Sequence, residues 1–176
     1  MTFERITCTT HPMYQEALAL YKISFPPHEQ RESLSQEQIL QYRDYHFTLI
    51  YDGEIFVALI LYCEWDNFIY VEHFCIFPDK RNRRYGQIAL GLLSETKKTL
   101  ILEIDPPVND IAIRRKGFYT RCGFVENPFP HIHPPYHCDT RGHELVIMSY
   151  PRRIAEKEYD DFYRYLVNQV MGNALS

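Results

Sequence analysis

With 176 residues, 45% of them hydrophobic and 24% charged, the chain holds material for one well-buried core and too little for two ordinary domains. A formal charge of −4 lacks the basic footprint of nucleic-acid binding, which makes a cationic small molecule or peptide the more natural partner. The five cysteines, Cys8, Cys63, Cys75, Cys122 and Cys138, form no C-x-x-C and sit mostly among apolar residues, as reduced thiols in the cytoplasm do.

Phe3 to Cys8 alternates enough for a first strand, and Tyr14, Ala17, Leu18, Tyr21 and Phe25 then recur at helical spacing until Pro26-Pro27 ends the helix. The polar stretch His28 to Ser35 leads, with Ser35 as N-cap and Gln38 in the capping-box position, into a short helix over Glu37 to Tyr42. Phe47 to Tyr51 and Ile55 to Tyr62 flank Asp52-Gly53 and predict a hairpin. After a turn at Asp66-Asn67, Phe68 to Phe77 reads as a strand rich in aromatic and β-branched residues.

A helix over Gln87 to Lys98 carries Ile88, Leu92 and Ala89, Leu93 at i, i+4 as its sheet-facing stripe. Thr99 to Ile104 follows as a buried strand, Ile111 to Cys122 as a basic helix closed by Gly123, and Glu144 to Tyr150 as a last strand. Arg153 to Met171 ends the pattern as an amphipathic helix, with Phe162, Leu166, Val170 and Tyr163, Val167, Met171 four apart. The order is β-α-α-β-β-β-α-β-α-β plus this helix, which predicts one mixed α/β domain over residues 1–176. Met1 to Thr10 has no apolar h-region, and no stretch approaches the roughly 18 apolar residues of a membrane span, so neither export nor membrane association is expected.

The most informative segment joins the strand that breaks at Pro78 to the next helix through Arg81, Asn82, Arg83, Arg84, Tyr85, Gly86 and Gln87. A helix start leaves backbone N–H groups without intrahelical partners and carries partial positive charge, so it binds anions readily. Arg81, Arg83 and Arg84 add charge-assisted donors for phosphate oxygens, and Gly86 lets a ligand approach the backbone. G-x-x-x-x-G-K-[ST] and G-x-G-x-x-G are both absent, which argues against an ATPase and a dinucleotide-binding unit. A solvated basic connection is the competing reading.

This order, the arginine loop and the run Gly117-Phe118-Tyr119-Thr120-Arg121-Cys122-Gly123-Phe124 resemble the GNAT superfamily of acyl-CoA-dependent N-acetyltransferases over roughly Phe3 to Tyr150. The resemblance implies a central mixed sheet of about six or seven strands flanked by helices, with the fourth and fifth strands splayed to admit the pantetheine arm of acetyl-CoA. The family pattern R/Q-x-x-G-x-G/A, laid on Arg81, puts Arg84 at the first glycine and Gly86 at the second. A bulky residue at positive φ there would contradict the assignment. Asn109 stands about three residues too far from Tyr119 to take the family's asparagine role, and Arg114 to Tyr119 looks like a variant of some bacterial members.

Acetyl transfer to a lysine-like amine, whose pKa is about 10.4, requires a base. Glu72, which alternation places on one face with Phe74 and Ile76, is the candidate, directly or through one water. A glutamate at the strand's wet end or paired with an arginine is the competing reading. His73 is second; it points to the opposite face unless a bulge intervenes. The resemblance implies a backbone contact from Phe74, Cys75 or Ile76 to the thioester oxygen, and Tyr119 as proton donor to the departing thiolate; an aromatic core contact competes for Tyr119.

His131, His133, His137, Cys138 and His143 suggest zinc, yet their spacing matches no known zinc pattern and the resemblance implies no metal. They are read as a loop beside the acceptor pocket, where Tyr136 faces Phe25 across the cleft. The resulting expectation is acetyl transfer from acetyl-CoA to a primary amine of a small molecule or peptide in a ternary complex. The alternative is a catalytically silent acyl-CoA-binding regulatory module.

Overall fold

In the computed structural model, which describes residues 1–138 and 141–172, β1 (Thr2–Ile6) pairs antiparallel with β2 (Tyr45–Asp52) at one edge of a mixed sheet. The helix α1 (Tyr14–Ser24) and the short α2 (Ser33–Ile39) lie between them in sequence. A meander follows from β2 through β3 (Ile55–Glu64) to β4 (Phe68–Ile76), turning at Gly53, whose φ of 60° favours glycine. Then come α3 (Tyr85–Ser94), β5 (Thr99–Ile104), α4 (Asp110–Arg121) and β6 (Val125–Glu126). A two-strand hairpin, β7 (Ile132–His133) and β8 (His143–Glu144), stands apart from the sheet, before β9 (Val146–Tyr150) and α5 (Glu156–Tyr165).

The main sheet has seven strands in the order β1-β2-β3-β4-β5-β9-β6, antiparallel except for the β4–β5 pair. β3 is buried on both faces from Phe56 to Cys63, which explains its near-continuous apolar run. One face packs on α1 and α5 through Tyr14, Ala17, Tyr21 and Phe162. The other packs on α3 and α4 through Ala89, Leu90, Leu93 and Tyr119. Complete burial of a side chain such as Leu59 stabilises by about 1.5–3 kcal/mol, so this central layer anchors everything attached to it.

The sequence expectations hold for element type and shift at several ends. The first strand stops at Ile6, and α2 begins at Ser33, so Ser35 is a buried residue inside the helix and Glu32 precedes it without a side-chain cap. α3 runs from Tyr85 to Ser94; its buried stripe is Gly86, Ala89, Leu90 and Leu93, leaving Ile88 exposed. The expected strand Glu144 to Tyr150 is divided between β8 and β9. The last helix begins at Glu156 and loosens into a π-helical turn over Leu166–Val170, with Phe162, Leu166, Val170 and Met171 buried and Tyr163 and Val167 partly exposed.

Two departures from regular sheet geometry build the site. Leu61 lies opposite His73 and Tyr62 opposite Val71, so Glu72 is the extra residue of a β-bulge in β4. Alternation slips by one beyond it. Glu72 and His73 therefore both turn toward the α1 side, while Phe74 and Ile76 pack with the α3 and α4 side. The expectation that Glu72 shares a face with Phe74 and Ile76 is corrected by this bulge. Secondly, β4 pairs with β5 only from Phe68 to Val71 against Thr99 to Leu102, and the two strands part beyond that point.

Candidate active site

The parting strands open a cavity of about 640 Å³, walled by residues 72–76 of β4 and 102–104 of β5. Because β4 is paired only with β3 beyond Val71, its β5-facing backbone groups are free to meet a ligand. Among the expected cofactor contacts, Phe74, Cys75, Ile76 and Arg81 line this cavity. The remaining ones, Asn82, Arg83, Arg84, Tyr85, Gly86 and Gln87, form the loop and helix start continuing from Arg81.

At that end a 3-10 turn, Pro78–Lys80, leads into α3, whose first turn receives no side-chain cap. Its N–H groups thus remain available to an anion, with the exposed Arg81, Arg83 and Arg84 around them. Arg84 has φ 63° and ψ 6°, so a bulky residue does stand at positive φ where the family's first glycine was laid, the condition stated above as contradicting that assignment. The turn keeps a glycine-type backbone while carrying an arginine, at a cost of about 1–2 kcal/mol. Asn82 also has a positive φ, 63°. The Gly86 expectation also changes: a Cβ there would fall 2.8 Å from Phe118 Cζ and 3.2 Å from Ile76 Cδ1, so its bare face serves helix packing. Tyr85 turns its hydroxyl to Asp52 Oδ2 at 2.8 Å.

The opposite end is organised by a buried ion pair. Arg31, from the segment before α2, donates through Nη2 to Glu72 Oε1 at 2.7 Å and to the Val170 carbonyl at 3.0 Å. Tyr136 donates to the same Glu72 oxygen at 2.9 Å, and its ring lies 5.6 Å from the Arg31 Cζ. Burial pushes the Glu72 carboxyl up, but the Arg31 guanidinium, His73 and Tyr136 outweigh it and hold the group well below the usual carboxylate range. Glu72 is therefore an anion with one oxygen fully engaged.

His73 stands beside it on the bulge. Its Nε2 is 2.8 Å from the Glu29 carbonyl, which can only accept, so Nε2 donates there and Nδ1 is the nitrogen left facing Glu72. Nδ1 lies 3.9 Å from Glu72 Oε2, and neither atom has a hydrogen-bond partner among the described residues. Phe25 packs edge-on against this imidazole at 4.5 Å between ring centres. Phe25 and Tyr136, expected across the cleft from each other, both line the cavity with His73.

Tyr119 lines the cavity from α4, almost wholly buried, and burial pushes its phenol up to about 12, so the hydroxyl keeps its proton at neutral pH. Asn109 caps α4 instead, accepting from the Ile111 and Ala112 amides at 3.0 Å each.

The histidine-rich loop disperses. His131 pairs with Glu103 and reaches the Tyr159 hydroxyl at 2.9 Å, while His133 stacks on Tyr136 at 5.0 Å and stands 3.8 Å from Glu103. His137 contacts Glu32 at 2.6 Å and the Pro27 carbonyl at 2.9 Å, tying this loop to the segment after α1. Arg31 and Glu103 had no sequence signal, since neither their burial nor their pairing follows from local pattern. Among the described residues no helix is long and apolar enough to cross a membrane.

Residues 10–124 match the model of the acetyltransferase (GNAT) family. Over 98% of this chain and 99% of the other, the structure superposes at a TM-score of 0.91 and 32% identity on a protein from Bacteroides thetaiotaomicron assigned to the same family. The ribosomal-protein-S18-alanine N-acetyltransferase of Escherichia coli shares the fold at a TM-score of 0.55 and 19% identity, over 89% of this chain and 96% of that one. An aminoglycoside 6'-N-acetyltransferase complexed with coenzyme A does so at 0.56 and 12% identity, over 88% and 100%. No curated protein matches the sequence significantly.

Proposed function

Because the chain belongs to the GNAT acetyltransferase family, we propose that it moves an acetyl group from acetyl-CoA directly to a primary amine within a ternary complex. The observation carrying this reading is the cavity between β4 and β5, which reaches Arg81 at one end and Phe25, His73 and Tyr136 at the other. In this reading the residues Arg81 to Gln87 hold the diphosphate, through the uncapped amides of α3 and the arginine side chains. The pantetheine arm lies along the unpaired edge of β4, and an N–H between Phe74 and Ile76 faces the thioester oxygen as negative charge develops there.

The amine nitrogen attacks the thioester carbon, the C–S bond breaks, and the departing thiolate takes its proton from the Tyr119 hydroxyl. For the amine's proton we assign His73 Nδ1, with Glu72 as the anion that faces it. Glu72 alone is a poor acceptor because Arg31 and Tyr136 already satisfy its charge. The bulge supports this pairing by bringing two sequence neighbours onto one face.

The test is release of free CoA from acetyl-CoA against a broad panel of primary amines, run beside thermal unfolding with acetyl-CoA. Turnover with at least one amine supports the transferase. A rise in Tm without turnover on any amine points instead to a silent acyl-CoA-binding module, and no response in either assay rejects the assignment of the arginine loop.

A further inference from the structure

At the outer rim of the cavity three side chains from two distant segments converge. His28 and Glu29 come from the 3-10 turn Pro27–Glu29, and His143 comes from β8; one ligand atom from each lies within 4.8 Å of the others. All three line the cavity, beyond the reacting groups assigned above. We propose that they form a site for a divalent transition metal of the Zn2+ class, which clips the β7–β8 hairpin to the turn after α1.

The donor chemistry fits. Two imidazoles and one carboxylate suit a borderline cation and leave a fourth position open to water. Ligands bound at 2.0–2.1 Å in a tetrahedron stand about 3.4 Å apart. His28 Nε2 and Glu29 Oε1 are 3.7 Å apart, and the two imidazole ring centres are 6.1 Å apart, so the three groups stand only slightly wider than a bound ion requires. His28 is the exposed member.

His143 has a carboxylate beside it. Its Nε2 lies 3.6 Å from Asp105 Oδ1, while the other oxygen of Asp105 is held by Arg115 at 2.6 Å. When a metal-bound imidazole donates its other N–H to a carboxylate in this position, the ring's orientation is fixed. The backbones to be joined are also held close, since His137 from the segment between β7 and β8 bonds to the Pro27 carbonyl at 2.9 Å. A bound ion would therefore add a cross-link to an existing contact, at the edge through which an acceptor enters.

The experiment uses the tag-free full chain, stripped with chelator and titrated with Zn2+ in the absence of acetyl-CoA. We expect one ion per chain, a rise in Tm with added Zn2+, and a K-edge absorption spectrum containing two imidazole ligands. His28→Ala/His143→Ala should weaken binding by more than about 100-fold, beyond the cost of losing one supporting partner. Glu29→Gln, which keeps the main-chain carbonyl bonded to His73, provides a second variant and should weaken binding too. Absence of stoichiometric binding, undiminished binding in both variants, or a spectrum without two imidazoles overturns the site. None of these readouts depends on acetyl transfer, so its failure leaves the transferase reading standing.

Discussion

The guanidinium of Arg31 meets the carboxylate of Glu72 at 2.7 Å, with both side chains sealed from solvent. This pair joins the segment before α2, the β4 bulge, Tyr136 and the carbonyl of Val170 near the C-terminal helix. Removing one partner leaves the other charge buried and uncompensated, which costs about 3–5 kcal/mol. Glu72→Gln and Arg31→Met should each lower Tm by roughly 10 °C, at about 2–4 °C per kcal/mol for a chain of this size. The double variant Arg31→Met/Glu72→Gln should lose less than the sum of the two single losses. Thermal unfolding by circular dichroism decides it, and additive losses would rule the pair out as a coupled unit.

The same pair sets an acid response. The folded-state carboxyl of Glu72 lies below its ordinary value of 4.5, so its stabilisation is fully present above that value and is lost as pH falls toward the folded value. Urea unfolding between pH 6 and about 2 should therefore show stability falling through the acid range. In Glu72→Gln the starting stability is lower and the fall shallower. An unchanged slope would mean that other carboxylates, Glu103 among them, carry the acid sensitivity.

Proton transfer predicts a division between kinetic constants. Tyr119→Phe and His73→Ala should each lower kcat by about 100-fold or more, in line with general acid–base contributions. KM for acetyl-CoA should stay within about twofold, because neither side chain is assigned to the diphosphate. CoA release followed with a thiol reagent measures both constants. Wild-type kcat in Tyr119→Phe would leave it as an aromatic core contact with Phe118 and Phe124, both of which it touches.

Arg84 offers a test in which stability and binding move oppositely. Its φ of 63° costs an arginine about 1–2 kcal/mol, whereas glycine adopts it freely and loses part of that gain to chain entropy. Arg84→Gly should raise Tm by about 2 °C and raise KM for acetyl-CoA several-fold, with a weaker salt dependence, since one cation near the diphosphate is lost. Unchanged KM at low salt would mean that the backbone, not this side chain, faces the phosphates.

How much of this was legible depends on the range of the signal. Thr99–Ile104 carries its own apolar run, and the fold order follows from such local periodicities. The bulge at Glu72 arises from register against Leu61 and Tyr62, so reading β4 alone put the glutamate on the wrong face. Arg31 sits in a polar segment that looks solvated until Glu72 and Tyr136 are brought over it. The strands β6, β7 and β8 span two residues each, too short for any periodicity. The arginine loop stood out because a helix start, a cluster of cations and a glycine are adjacent in sequence.

Gly86 shows how packing and cofactor geometry meet. A methyl group added there would stand 2.8 Å from Phe118 Cζ, closer than ordinary contact allows, while the helix start it belongs to presents its amides to the proposed diphosphate. Gly86→Ala should cost about 1–3 kcal/mol through overpacking and shift the first turn of α3. Acetyl-CoA should then bind more weakly. Phe118→Leu, which removes the obstructing ring edge, should be destabilising alone yet restore stability and binding when combined with Gly86→Ala. A double-mutant cycle in Tm and KM reads the coupling directly. Failure of Phe118→Leu to rescue either quantity would mean that Ile76, at 3.2 Å from the added methyl, is the contact that fixes α3 against the sheet.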